Sequence, residues 1–124
     1  MPIVDNLEEI MQRAGTLGEA IRRHPRYVAL READDRVRAD TVATEALEAY
    51  NKAAADIARK ERFAQPVEVE DKRRLERLQQ VVVSNEAIKA FMRAQADYAE
   101  LMRKMNDAIF RSLAGDEKPA APQA

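Results

Sequence analysis

Cysteine is absent from the 124-residue chain. That excludes disulfides, thiolate metal centres and thiol nucleophiles. Aromatic residues make up only 5%, with three glycines and five prolines. So few aromatics and breakers favour long helices with broad solvated faces over a sheet. The single histidine cannot supply the two Glu-x-x-His motifs of a di-iron bundle. No apolar run approaches the ~18 residues that span a bilayer. The N-terminus lacks the charged-then-apolar pattern of a secretory signal. An excess of one charge is lacking as well. Lys and Arg number 21 against 22 Asp and Glu, for a net charge of -1. The overall field therefore gives no reason to expect a nucleic acid or an anionic membrane as partner. A cytoplasmic protein of one domain is the expectation.

What is present is helical periodicity. Ile88, Phe91, Gln95, Tyr98, Met102, Met105 and Ile109 recur at alternating steps of three and four. Such a heptad seam requires partner helices, because one helix cannot bury it alone. Ser84 stands before it as a natural N-cap, and Gly115 after it as a stop. Toward the N-terminus, Asp5 and Glu8 form a capping-box pattern ahead of a second stripe, Leu7, Ile10, Ala14, Leu17 and Ile21. Glu9–Arg13 and Glu19–Arg23 are i,i+4 pairs on its outer face. Gly15 and Gly18 weaken this helix by about 1 kcal/mol each relative to Ala, and would allow a close helix crossing.

His24-Pro25 ends the first helix, since proline disfavours a helical conformation in the residue before it and suits a first helical position. Nothing obvious breaks the chain again before Phe63, which predicts one long helix over 25–63, on the order of 55 Å. Its stripe is Leu30, Ala33, Val37, Thr44, Leu47, Tyr50, Ala54 and Ile57, thin in the middle at Asp40, Thr41 and Ala43. Residues 64–70, with Pro66, read as the turn of a helical hairpin. A third helix over 71–83 carries Leu75, Leu78 and Val82. The run Val81-Val82-Val83-Ser84-Asn85 marks a break before a final helix over 84–113. The expected fold is all-α: a long antiparallel helical hairpin with an additional N-terminal helix, assembled into a helical-bundle oligomer. Residues 1–4 are expected to be a flexible N-terminus, 5–114 a single all-helical domain, and 115–124 a disordered tail that cannot form a core. A hairpin buries only one side of each helix, so a homodimer or homotetramer is expected.

No pattern identifies a chemistry. His24 beside Pro25 reads as a helix-end residue rather than a base or a metal ligand. Asp40 falls on an apolar stripe, where a buried carboxylate must find an arginine, a capping amide or a metal. Gln95 and Asn106 suit the setting of helix register. Two basic clusters, Arg22-Arg23-His24-Pro25-Arg26 and Lys72-Arg73-Arg74 with Arg77, could hold phosphates. They lack interleaved exposed aromatics, and acidic neighbours Glu70, Asp71 and Glu76 crowd the second. No catalytic residue, cofactor site or metal site is assigned. The side chains expected to meet another subunit or partner protein are Leu47, Tyr50, Phe91, Tyr98, Leu101, Met102 and Met105. Ala43, Ala46, Ala53 and Ala54 on the long helix are expected to offer a shallow surface for a second subunit.

The order of these signals resembles the YlbF/YmcA family of small bacterial helical proteins. The matching residues are Leu17 and Ile21, then Tyr27, Leu30, Ala33, Val37 and Asp40, then Leu47 and Tyr50. The second half matches at Leu78, Val82, Asn85, Ile88, Phe91, Ala94, Leu101, Met105-Asn106 and Ile109. The resemblance implies an all-helical, self-associating cytoplasmic protein without enzymatic activity. It also implies membership in multi-protein complexes that influence RNA processing and developmental programmes such as competence, sporulation and biofilm formation. Iron–sulfur binding through cysteines, reported for some relatives, does not carry over to a chain without cysteine. Relatives often have proline after the Asn; here Glu86 takes that place. The function expected is that of a helical adaptor or regulatory protein; direct RNA binding through the basic clusters is the alternative.

Overall fold

A computed structural model describes residues 6–115. Its five helices are, in order, α1 (Leu7–Arg23), α2 (Pro25–Ala39), α3 (Thr41–Arg62), α4 (Val69–Ser84) and α5 (Glu86–Leu113). The described residues contain no strand. The cap expected at Asp5 and the tail from 116 onward lie outside the described residues. Within them, Asn6 takes the N-cap position of α1, with no side-chain capping bond.

The single helix expected over 25–63 is two helices, and the residue that divides them is Asp40. Its backbone is extended (φ -98°, ψ 104°), and its N–H turns back to the Val37 carbonyl at 3.0 Å. Its Oδ1 then accepts from the Ala43 N–H at 3.1 Å, which satisfies one of the open amides at the start of α3. Asp40 is therefore not a buried carboxylate on a stripe. It is a half-buried N-cap, and the donor it needed belongs to the next helix.

The second arm breaks by the same device. Asn85 is extended (φ -76°, ψ 126°), donates to the Val82 carbonyl at 3.3 Å, and accepts from the Ile88 N–H at 3.0 Å. The cap expected at Ser84 thus falls one residue later. Ser84 is instead the last residue of α4, and its hydroxyl donates to the Gln80 carbonyl, a bond that competes with the helix's own amides. His24 repeats the pattern before α2: ψ 139°, its N–H to the Ile21 carbonyl, and Nδ1 accepting from the Arg26 N–H at 3.0 Å.

The two arms pack antiparallel, α2 against α5 and α3 against α4. Val37 and Ala43, on either side of Asp40, share one buried cluster with Val82 and Ile88, on either side of Asn85. The two breaks therefore lie at the same level of the hairpin, and the core is centred on them. Ala46 and Ala87 complete the cluster. The alanines expected to receive a second subunit are among those buried here: Ala43, Ala46 and Ala53 are covered by the chain's own helices. Six of the nine buried apolar residues are alanine, and among the described residues no large side chain is fully buried. An alanine methyl contributes roughly 0.8 kcal/mol on burial, against roughly 1.5–3 for a branched side chain. The core holds the helices close but is thin.

At the far end, α3 closes on a Schellman turn. The Gln65 N–H reaches the Lys60 carbonyl at 2.7 Å and the Ala64 N–H reaches Glu61 at 3.3 Å, with Ala64 at φ 54°. Glycine usually fills this left-handed position, since a Cβ there costs about 1–2 kcal/mol. Across the turn, the Lys60 ammonium lies 2.6 Å from Asp71 Oδ2, which also accepts from the Glu68 N–H at 2.9 Å. That pull starts α4 at Val69, two residues earlier than its sequence pattern predicts.

Replacing Ala64 with Gly should stabilise the protein by about 1 kcal/mol and raise Tm by roughly 4 °C in a thermal melt; an unchanged or lower Tm would show that the turn carries no such strain. The Lys60 and Glu68 bonds hold the Asp71 carboxyl below its usual range. A depressed folded-state pKa contributes stability that is present above the ordinary aspartate value of ~3.9 and lost as pH falls through the folded value. Denaturant titrations of Asp71→Asn and wild type should therefore differ most at neutral pH and converge as the pH falls through the lowered pKa of the folded-state carboxyl.

Candidate interaction surface

Leu47 and Tyr50 from α3 and Phe91 from α5 pack, half-buried, against the cluster at the two breaks. Much of their surface thus serves the chain's own core. Tyr98 meets Tyr27 with ring centroids 5.7 Å apart at 58°, a tilted contact favourable to the ring quadrupoles. Beside it, Arg26 at the start of α2 donates to the Asp97 carbonyl at 3.1 Å and lies 3.7 Å from the Glu100 carboxylate. Lys104 and Arg26 hold the Glu100 carboxyl below its usual range. These contacts dock the beginning of α2 onto the middle of α5.

Beyond that dock, α5 runs on past the start of α2. Residues 101–113 have no part of α2 opposite them, because α2 begins at Pro25. They form an overhang of about 20 Å. The face that holds Tyr98 continues along it through Leu101, Met102 and Met105, all half-buried, to Ile109 and Leu113, both exposed, with Phe110 exposed on its flank. Gln95, placed in the seam by its spacing, is exposed, and its neighbour Ala94 is buried instead. The helix ends at Gly115 (φ 77°), whose N–H reaches the Ser112 carbonyl at 3.1 Å, as the sequence predicts.

α1 is the other largely exposed element among the described residues. It has no buried residue and meets the rest of the described chain chiefly at its junction with α2. Leu7, Ile10 and Met11 are 58–62% exposed. They line one face with Ala14, Leu17, Gly18 and Ile21, as the 3.6-residue period requires. A Cβ added at Gly15 or Gly18 would meet nothing within 4 Å. The close crossing that these glycines would permit is therefore not made among the described residues.

Several of the remaining sequence candidates have structural surroundings that account for them. His24 spends its Nδ1 lone pair on the cap of α2. Arg77 pairs with Glu70 at 3.2 Å, and Lys72 shares a surface hollow with Glu61 and Glu76. Carboxylates thus break up the second basic cluster. The best-formed hollows are open grooves, such as the one between α2 and α5 lined by Ala29, Glu32, Ala33, Arg36, Ala90, Arg93, Ala94 and Asp97. Among the described residues, no three His, Asp or Glu side chains gather as a metal site would require, and no helix is long and apolar enough to cross a membrane.

Fold and surface together define a small all-helical protein whose distinctive feature is uncovered apolar helix faces, not a pocket. Residues 10–114 match the family described as control of competence regulator ComK, YlbF/YmcA. The chain belongs to this bacterial regulatory family. No curated protein matches it.

The paired caps hold Leu47, Tyr50 and Phe91 in place, so each should matter to stability. Asp40→Ala and Asn85→Ala should each cost about 1 kcal/mol. Because both caps serve one buried cluster, the double variant should depart from additivity by roughly 0.5 kcal/mol or more in a double-mutant cycle. Independent, additive losses would mean the two breaks are not coupled.

Proposed function

We propose that this protein is a non-catalytic regulatory adaptor that self-associates and holds other proteins of a regulatory complex along its apolar helical faces. One observation carries the reading. The inside of the chain is mostly alanine, while Leu7, Ile10, Met11, Leu17, Ile109, Phe110 and Leu113 lie on its outside. Exposed apolar surface that continues along a helix face is characteristic of an interaction site. Membership in a regulatory family supports the same reading. Leu101, Met102 and Met105 sit where the covered part of α5 passes into the overhang, and they are the side chains proposed to meet another subunit or partner. Methionine's flexible thioether suits a surface that receives more than one partner. Influence on RNA processing or developmental programmes would then be exerted through a bound partner.

Light scattering at tens of micromolar, with affinity purification from the native host, tests this. The expected result is an oligomer that brings down a defined protein partner. Leu101→Glu should yield a smaller species and lose that partner, since an unpaired charge buried in a contact costs several kcal/mol, roughly 3–5. A monomer that recovers only itself would defeat the reading. Tight RNA binding with a steep salt dependence and no protein partner would instead favour the basic clusters.

A further inference from the structure

The geometry points to a reciprocal exchange between two copies of this chain, in which α1 of each copy covers the α5 overhang of the other. This rests on the self-association proposed above and assigns it to particular surfaces. Both surfaces carry exposed apolar side chains, Ile10 and Met11 on one and Ile109, Phe110 and Leu113 on the other, and they are of similar length. α1 spans 17 residues, about 25 Å, and the overhang spans residues 101–113, about 20 Å.

The chain order explains why both are left largely exposed at their outer ends. Arg26 and Tyr27 dock on Asp97, Tyr98 and Glu100, so a helix continuing straight back from α2 would lie along residues 101–113 of its own α5. The break at His24, fixed by Pro25 and by the His24 Nδ1 cap, separates α1 from α2, and α1 makes its contacts chiefly at that junction. A segment diverted at a hinge from a surface on its own chain is suited to the equivalent surface of a second copy, and two-fold symmetry then satisfies both contacts at once.

The area is sufficient. The chain exposes 10221 Å², against about 6,700 Å² for a compact monomer of its mass. A stable interface takes about 800 Å² from each partner. Gly18 adds a further indication. It lies at the centre of the apolar face of α1, beside Ala14, where its flexibility weakens the helix and nothing in the chain makes use of the space. A closely approaching partner helix would use it.

The absence of cysteine makes cross-linking a clean test. Two single variants, Ala14→Cys and Ile109→Cys, sit near the middle of the two faces, so the pair can close whichever way the helices run. Purified separately, mixed, re-equilibrated and oxidised, they should form a covalent heterodimer, because a disulfide needs Cα atoms roughly 4.4–6.8 Å apart. The double variant Ile10→Glu, Met11→Glu should run as a monomer with unchanged helical circular dichroism, since neither side chain is buried in the single chain. A wild type that is itself monomeric would overturn both this exchange and the self-association it rests on. An oligomer would overturn the exchange alone in either of two cases. In one, Ile109→Cys cross-links only to itself. In the other, a chain carrying both cysteines closes on itself while the mixed single variants do not.

Discussion

Two helix breaks held at one level are the constraint on which the rest of this structure depends. Asp40 and Asn85 each end one helix with an N–H bond to the carbonyl three residues back, and start the next by accepting an amide three residues on. A break in one arm alone would leave a straight helix facing a bent one, and close packing would fail on one side of it. With both arms broken side by side, Val37, Ala43, Val82 and Ile88 close around the gap. Ala43, fully buried at that point, shows how near the backbones come. A larger residue there would have to force the arms apart, at a cost of about 1–3 kcal/mol.

That closeness has a consequence for the outer surface. Helices brought together over alanine bury little area per residue, so large side chains find no room between them. They stand instead on α1, on the overhang of α5 and at the rim of the turn. The chain's apolar volume is thus divided between a thin interior and uncovered outer faces. Surface ion pairs do not make up the difference. Glu9–Arg13, Asp34–Arg38 and Glu86–Lys89 are exposed pairs within single helices, and pairs of that kind contribute only about 0–1 kcal/mol. Lys60–Asp71 is the better-placed pair, because it joins two helices across the turn and shares its carboxylate with a backbone amide.

Much of this fold was legible in the sequence because helical periodicity is a strong signal. The seam of α5 apart from Gln95, the proline start of α2, the hairpin turn with Pro66 and the glycine stop at 115 stand where the residues place them. The break at Asn85 was legible too, from three valines before Ser84-Asn85. The break at Asp40 was not. No proline or glycine marks it, and aspartate in an apolar stripe reads as a polar residue in need of a partner. The signal lay in the next three residues. Asp40-Thr41-Val42-Ala43 sets a capping carboxylate three residues before an amide, with two β-branched residues between that hold a helix poorly. Ala64 was illegible for a related reason, since the left-handed turn position is normally recognised by its glycine. The apolar face of α1 could be read as a stripe but not as exposed, because periodicity shows which face is apolar and not what lies against it. The alanines of α3 were misread for the same cause: small residues permit an approach without saying whose.

An interior this thin ties the folded state of the chain to its associations. A partner that binds only the native form adds RT ln(1 + [L]/Kd) to its stability, about 2.7 kcal/mol at a hundredfold excess over Kd. That is a large share of the roughly 5–15 kcal/mol by which a domain is stable at all. Here, on the proposed reading, it is comparable to what several buried alanines supply together. Covering the large side chains on α1 and α5 would then do two things at once. It would assemble the regulatory complex, and it would complete a hydrophobic structure that one chain leaves open.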